Sequence, residues 1–237
     1  IMAAQLREFK TSVDALIADG MKKDDAIFNV LRDYIKQSRD IRFEGDGYSD
    51  DWAAEAAKRG LSNVRTTPHA LDFYVSDSAI SLFENNEVMN KVEVEARHEI
   101  MLEEYQMKIQ IESRVLGDIA GNHVVPTAIN YQNKLIQNVR GLKEVLSAEK
   151  FQTVAKDQLA MIESISEYIS TIISEKEAMI EERKKCNAIE DTRDQAIAYC
   201  ERVIPYFERI RYACDKLELL IDDELWPLPK YRELIFI

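Results

Sequence analysis

Apolar residues recur along most of this chain at intervals of three and four, the period of a helix that buries one face. Residues 2 to 39 predict two amphipathic helices broken near Gly20. Leu6, Phe9, Val13, Leu16 and Ile17 share one face of the first, and Ile27, Val30, Leu31, Tyr34 and Ile35 one face of the second. Asp24 and Asp25 fall in the first turn of the second helix, where the macrodipole favours them. Residues 40 to 50 break the pattern. Gly45 and Gly47 punctuate this segment, and Ile41-Arg42-Phe43 reads as a short strand or an extended arm. Ser49 is placed to cap a short helix that runs to about Lys58 and is ended by Gly60. Thr67-Pro68 opens another, because proline is favoured at the first helical position. A third covers about residues 78 to 83.

From Asn90 the pattern predicts three long helical stretches. The first runs to about Leu146, with a kink between Gly121 and Pro126, where glycine weakens the helix and proline removes a backbone bond. The second runs from about Glu149 to Lys185 and would be about 55 Å long at a rise of 1.5 Å per residue. Its apolar set includes Phe151, Val154, Leu159, Ile162, Ile165, Ile169, Ile172, Ile173, Met179 and Ile180. The third runs from about Asp191 to Leu225, is interrupted by Pro205, and carries Val203, Ile204, Phe207, Ile210, Cys214, Leu217 and Ile221 as a stripe. Short links between long helices imply antiparallel neighbours. The expected fold is all-α, a long antiparallel helical bundle with a smaller helical head.

Composition agrees. Seven glycines and five prolines in 237 residues leave too few turns for a sandwich, a barrel or a doubly wound sheet. No repeat of 20 to 50 residues and no low-complexity segment is present. The 31 basic and 43 acidic residues give a net charge of −12, which argues against nucleic acid or an anionic membrane as partner. The balance is uneven: 11 basic groups face 12 acidic ones in residues 1 to 65, and 20 face 31 thereafter. No apolar run is long enough to span a membrane, and no signal-peptide pattern opens the chain. It begins with Ile1 as though inside a helix, so a fragment of a longer protein is expected. Cys186, Cys200 and Cys214 stand 14 residues apart, two heptads each, so all three could lie near one helical stripe. An odd count without a Cys-x-x-Cys pair points to small buried hydrophobes in a reducing compartment rather than to disulfides or zinc.

Candidate chemistry is sparse. Glu95-Ala96-Arg97-His98 has the Glu-x-x-His form of half a di-iron carboxylate site. The other histidines, His69 and His123, are preceded three residues earlier by Thr66 and Ala120, so the second half is missing. Glu95, Glu99 and Glu103 read more simply as a solvated acidic face. Residues 40 to 51 place Gly45 and Asp51 like positions 6 and 12 of a calcium loop, but Arg42 occupies a ligand position. Gly45-Asp46-Gly47 is too short for a phosphate loop, and no Gly-x-Ser-x-Gly motif exists. No catalytic, cofactor-binding or metal-ligating residue is assigned.

Several segments, taken together, resemble the carboxy-terminal region of type III glutamine synthetases. They are the run from Ile41-Arg42-Phe43 through Gly45-Asp46-Gly47-Tyr48-Ser49 to Trp52, the stretch 55 to 71 with Lys58-Arg59-Gly60-Leu61, and Leu102-Glu103-Glu104-Tyr105. Pro126-Thr127-Ala128-Ile129-Asn130-Tyr131 and Leu225-Trp226-Pro227-Leu228-Pro229-Lys230-Tyr231, with Leu234 and Phe236 after it, complete the set. The resemblance covers essentially the whole chain. It implies that residues 1 to 60 end the catalytic domain and that 61 to 237 form a helical carboxy-terminal extension. The parent would join glutamate and ammonia through γ-glutamyl phosphate, using ATP with Mg2+ or Mn2+, in the cytoplasm, as a large homo-oligomeric ring. The family's metal-binding glutamates, nucleotide loop and arginine stretch match no position here, so the fragment is expected to be structural and non-catalytic. A stand-alone scaffold or adaptor is the alternative, and a carboxylate-bridged metal enzyme a distant third. Finally, Pro227 and Pro229 should end the last helix near Trp226. Leu234, Ile235, Phe236 and Ile237 should then fold back as a clasp, with Trp226 as the anchor.

Overall fold

The structure, a computed structural model, describes residues 1–235. It is all-α, with no strand among the described residues. Of the two readings of residues 41 to 43 the strand is not found: a 3-10 turn, Ser38–Ile41, leads into irregular chain that is extended at Arg42. Two compact units divide the chain, Ile1–Ile100 and Met101–Ile237.

In the first unit α1 (Met2–Ala18) and α2 (Lys23–Gln37) form a hairpin around Val13, Ala26 and Val30, with Phe9, Leu16, Met21, Ile27 and Tyr34 packed on them. Gly20 makes the reversal possible. Its φ of +92° lets the N–H of Met21 reach the carbonyl of Leu16 and its own N–H reach that of Ile17. Gly60 ends α3 (Asp50–Lys58) in the same way at φ +73°. Ser49 caps α3 by accepting the N–H of Trp52 at 3.3 Å. Pro68 sits in the first turn of α4 (Thr67–Leu71), and Ser76 caps α5 (Asp77–Asn85) by accepting from Ala79. Arg7 of α1 reaches the end of α5, donating to the Asn85 carbonyl at 3.0 Å and to Asn86 Oδ1 at 2.7 Å. α6 (Lys91–Ile119) opens on a reciprocal capping box. Asn90 Oδ1 accepts from the Glu93 N–H, and Glu93 Oε2 accepts from the Asn90 N–H.

The second unit is an antiparallel bundle. Its helices are the rest of α6, α7 (Val125–Val145), α8 (Ala148–Val154), α9 (Lys156–Asn187), α10 (Thr192–Ala198) and α11 (Ile204–Leu220). Cross-helix hydrogen bonds fix the directions. Gln110 meets Asn187, Gln132 meets Ser166 and Asn138 meets Gln158, so one run ascends as α9 descends. Arg209 meeting Glu175 shows α11 ascending again. Ile165, Ile172, Met179 and Cys186 of α9, all seven apart, are sealed from solvent. So are Ala196, Val203, Ile210 and Leu217 on the opposing run. This is a heptad seam.

Both helix-interior prolines are absorbed alike. A π turn, Ala120–Val124, precedes Pro126, and another, Tyr199–Val203, precedes Pro205. The wider turn relieves the clash of each proline ring with the carbonyl four residues earlier.

Three expectations change. The stretch 149 to 185 is two helices, broken at the fully buried Ala155, where neither glycine nor proline marks the bend. The third long helix ends at Leu220 rather than Leu225. The cysteines do not share a stripe, because the turn at residues 188 to 191 puts Cys186 on α9 and Cys200 and Cys214 on the returning run. Cys186 is buried, the others half-buried, and all are free.

The tail is a mixed outcome. Leu225, Trp226 and Leu228 pack against the bundle core, as an anchor should. Lys230 donates to the Glu218 carbonyl at 2.9 Å and pairs with Asp223, tying the chain after Pro229 to the end of α11. A short helix α12 (Tyr231–Ile235) comes next, with Leu234 and Ile235 exposed, so these two form no clasp. Phe236 and Ile237 lie outside the described residues.

Ile172→Ala and Ile210→Ala should each destabilise the protein by about 2–5 kcal/mol, the cost of emptying a fully buried aliphatic site. Urea denaturation followed by circular dichroism measures this, and a loss below about 1 kcal/mol would contradict the seam. In the same assay Trp226→Ala should lower the midpoint clearly, and Ile235→Ser should leave it unchanged.

Candidate functional site

The segments that carry the family resemblance in the first unit meet at one side chain. Arg59, at the C-terminal end of α3, donates from Nε to Glu55 Oε1 at 2.8 Å and from Nη1 to the Arg42 carbonyl at 2.7 Å and the Asp40 carbonyl at 3.4 Å. Its guanidinium lies 5.9 Å from the Phe43 ring centroid and 5.8 Å from that of Trp52. Those two rings stack at 4.5 Å. A planar cation with five donors is suited to holding loop carbonyls and aromatic faces at once. The hydrogen bond from Arg59 also holds the Glu55 carboxyl below its ordinary range. Gly45 is required here, since a Cβ would stand 2.5 Å from the Phe43 ring. Asp46 shapes the next turn by accepting the Tyr48 N–H at 2.9 Å. Tyr48 is then fully exposed at the loop's tip. The result is a braced knuckle beside an open cleft of about 480 Å3 lined by Arg39, Asp40, Arg42, Glu44, Glu55 and Arg59. With three cations and three carboxylates it has no net charge to select a ligand.

A second polar site lies inside the bundle. Tyr199 is 1 % exposed, and its hydroxyl donates to Asn187 Oδ1 at 2.5 Å. Gln110 Nε2 donates to the same oxygen at 2.9 Å and to the Tyr199 hydroxyl at 3.1 Å. Gln195 donates to the carbonyls of Cys186 at 3.1 Å and Ile189 at 2.9 Å, filling acceptors left free at the end of α9. Burial raises the Tyr199 phenol above its usual pKa. Burial likewise raises Tyr105, and it pushes the Cys214 thiol up to about 11. These groups stay neutral at physiological pH, and thiols so placed are poor nucleophiles. The cluster pins the α9–α10 turn to α6, a positioning task.

The motif-level candidates remain isolated. Glu95 is 3.7 Å from Lys91 on its own helix, and His98 Nε2 has no hydrogen-bond partner. Among the described residues no three His, Cys, Asp or Glu side chains gather to hold a metal ion. Sequence reasoning missed Arg59, because an arginine near a helix end is unremarkable until its loop folds back on it. The Gln110–Asn187–Tyr199 cluster left no signal either, since its members lie up to 89 residues apart.

The class of molecule is thus an all-helical one of two compact units with braced turns. The family emerges from comparison. Residues 26–143 match the model of the glutamine synthetase C-terminal domain. A glutamine synthetase from Bacteroides fragilis is 48 % identical over 99 % of this chain, which spans 32 % of that relative. A type-3 glutamine synthetase from Dictyostelium discoideum is 29 % identical over 98 % of the chain, which covers 30 % of it. A glutamine synthetase from Butyrivibrio fibrisolvens is 25 % identical over 98 %, with 33 % of it covered. The chain spans about a third of the length of the curated relatives it matches. The resemblance read from the sequence holds.

Replacing Arg59 by Gln should release two loop carbonyls and an aromatic pair. Amide exchange of residues 42 to 49 should quicken about tenfold or more, while the bundle stays protected. Unchanged exchange in that loop would contradict the knuckle.

Proposed function

We propose that this chain is the carboxy-terminal part of a glutamine synthetase and serves that enzyme in structure and assembly rather than in catalysis. The observation that carries the reading is the 48 % identity to the Bacteroides fragilis relative, sustained over 99 % of this chain. In this reading residues 1 to 60 close the catalytic domain and 61 to 237 form the helical extension. The parent joins glutamate and ammonia at the expense of ATP through γ-glutamyl phosphate, with Mg2+ or Mn2+ at the phosphates. Those ligands come from parts of the enzyme outside this chain.

A role in self-association is supported by the surface of α6. Met107, Ile111 and Val115, four residues apart, are all about half exposed and form an apolar row along the helix. No helix of the described residues is long and apolar enough to cross a membrane. That fits the cytoplasmic location proposed for the parent.

The test uses the full-length protein of the same gene. It should release phosphate from ATP only when glutamate and ammonia are both present, and the 237-residue chain alone should not. A full-length protein without such activity would remove the reading. Replacing Met107, Ile111 and Val115 together by Glu should reduce the assembly size by light scattering while leaving helicity intact. An unchanged particle mass would remove the assembly role and leave the family assignment standing.

A further inference from the structure

Three cations of the bundle border one cleft with a single carboxylate, Asp118, on its wall. Arg114 extends from α6, and Lys176 and Arg183, seven residues apart, from one face of α9. Together they border a cavity of about 260 Å3 whose apolar wall is Met179 and Ile180. Among the described residues, no carboxylate forms a salt bridge with any of the three. Three neighbouring acids of α9 are engaged elsewhere: Glu175 with Arg209 at 2.6 Å, Glu181 with Lys184 at 2.7 Å and Glu182 with Lys185 at 2.5 Å. Asp118, on the cleft wall, accepts the Asn122 amide at 2.5 Å. Arg183 Nη1 is shut off from solvent with no hydrogen-bond partner, an arrangement that costs stability unless something accepts from it.

The lysine is held in place by missing side chains. Its stem crosses Gly117, where a Cβ would lie 3.5 Å from Cγ. Its ammonium stands over Gly121, where a Cβ would come within 2.6 Å of Nζ. Neither glycine has a positive φ, so the backbone itself would accept alanine at both positions. Their use is the space they leave for Lys176.

We propose that this cleft binds a small dianion, whose phosphate or carboxylate oxygens are held by the Arg114 and Arg183 guanidinium groups and the Lys176 ammonium. Guanidinium groups present paired donors that match either oxyanion, and an ammonium adds charge without demanding a direction. The apolar wall accommodates a short carbon chain between two charged ends. The volume admits a pyrophosphate or a five-carbon dicarboxylate and excludes a polymer wrapped around the groove. The assignment concerns residues of one unit and does not depend on the parent's activity.

Calorimetry on the full 237-residue chain at low salt tests this, with inorganic pyrophosphate and glutarate as probes and glutaramide as the uncharged control. At least one dianion should bind saturably with Kd below about 1 mM, weakening as salt rises. Binding of pyrophosphate alone assigns the site to phosphate compounds, and binding of glutarate alone to dicarboxylates. Arg183→Gln and Arg114→Gln should each weaken binding about ten- to a hundredfold, the range for a charge-assisted hydrogen bond. Gly121→Ala should displace the ammonium and weaken binding without lowering the melting midpoint. It keeps the test informative if an arginine variant folds poorly. Lys108→Gln, elsewhere on α6, should change nothing. Absence of saturable binding by both dianions would overturn the proposal. So would equal binding of glutaramide, or equal weakening by Lys108→Gln.

Discussion

The seam between α9 and the returning run of α10 and α11 is the constraint on which the second unit rests. Ile165, Ile172, Met179 and Cys186 face Ala196, Val203, Ile210 and Leu217, and each is essentially inaccessible to water. A strict interval of seven over four positions leaves little choice of register, because a shift by one residue would turn the seam towards solvent. Small residues at one end, Cys186 and Ala196, let the two runs close where the chain reverses. Asp191 caps α10 at that reversal by accepting the Asp194 N–H at 2.8 Å, and Gln195 satisfies the carbonyls that α9 leaves free. The polar turn and the apolar seam are therefore one device. The seam fixes which residues face each other, and the capping groups let the chain turn without stranded backbone donors or acceptors.

Both prolines threaten that seam and neither breaks it. Ala120 and Val124 lie in the π turn before Pro126, and Tyr199 and Val203 in the one before Pro205, and all four are buried. A π turn inserts a residue and rotates the helix beyond it, so the apolar face after each proline points back to the core. In the second turn the rotation also buries Tyr199, whose hydroxyl then needs a partner in the interior. Asn187 and Gln110 provide it.

The legibility of the sequence divides along physical lines. Ends governed by local chemistry were legible: Ser49 as a cap, Gly20 and Gly60 as left-handed stops, Pro68 at an N-terminus and the irregularity between Gly121 and Pro126. Each depends on residues within one turn. The bend at Ala155 was not legible, because packing and not local preference sets it. The cysteines misled for a related reason. Cys186 lies on the seam of α9, but the chain then turns, and Cys200 and Cys214 stand off the seam positions of the returning run. Leu234 and Ile235 were read as too apolar for water, yet single exposed aliphatics are ordinary on protein surfaces. For the candidate sites the family segments were visible, but not the arginine that joins them. A hub such as Arg59 is defined by carbonyls 17 and 19 residues away, and composition does not report those.

Charge is unevenly shared along the chain. Residues 66 to 237 hold 31 acidic and 20 basic groups, so on average each cation has more than one carboxylate available. The exposed pairs that form, such as Lys184 with Glu181 and Lys108 with Glu104, contribute little stability, about 0–1 kcal/mol each. Arg114, Lys176 and Arg183 instead border one cleft without a salt bridge to any carboxylate among the described residues. Mutual repulsion of three cations is relieved only by water and salt or by an anion shared among them. The two glycines opposite Lys176 add a cost in helix propensity and gain no turn, so their position is explained by the room they leave rather than by the backbone they permit.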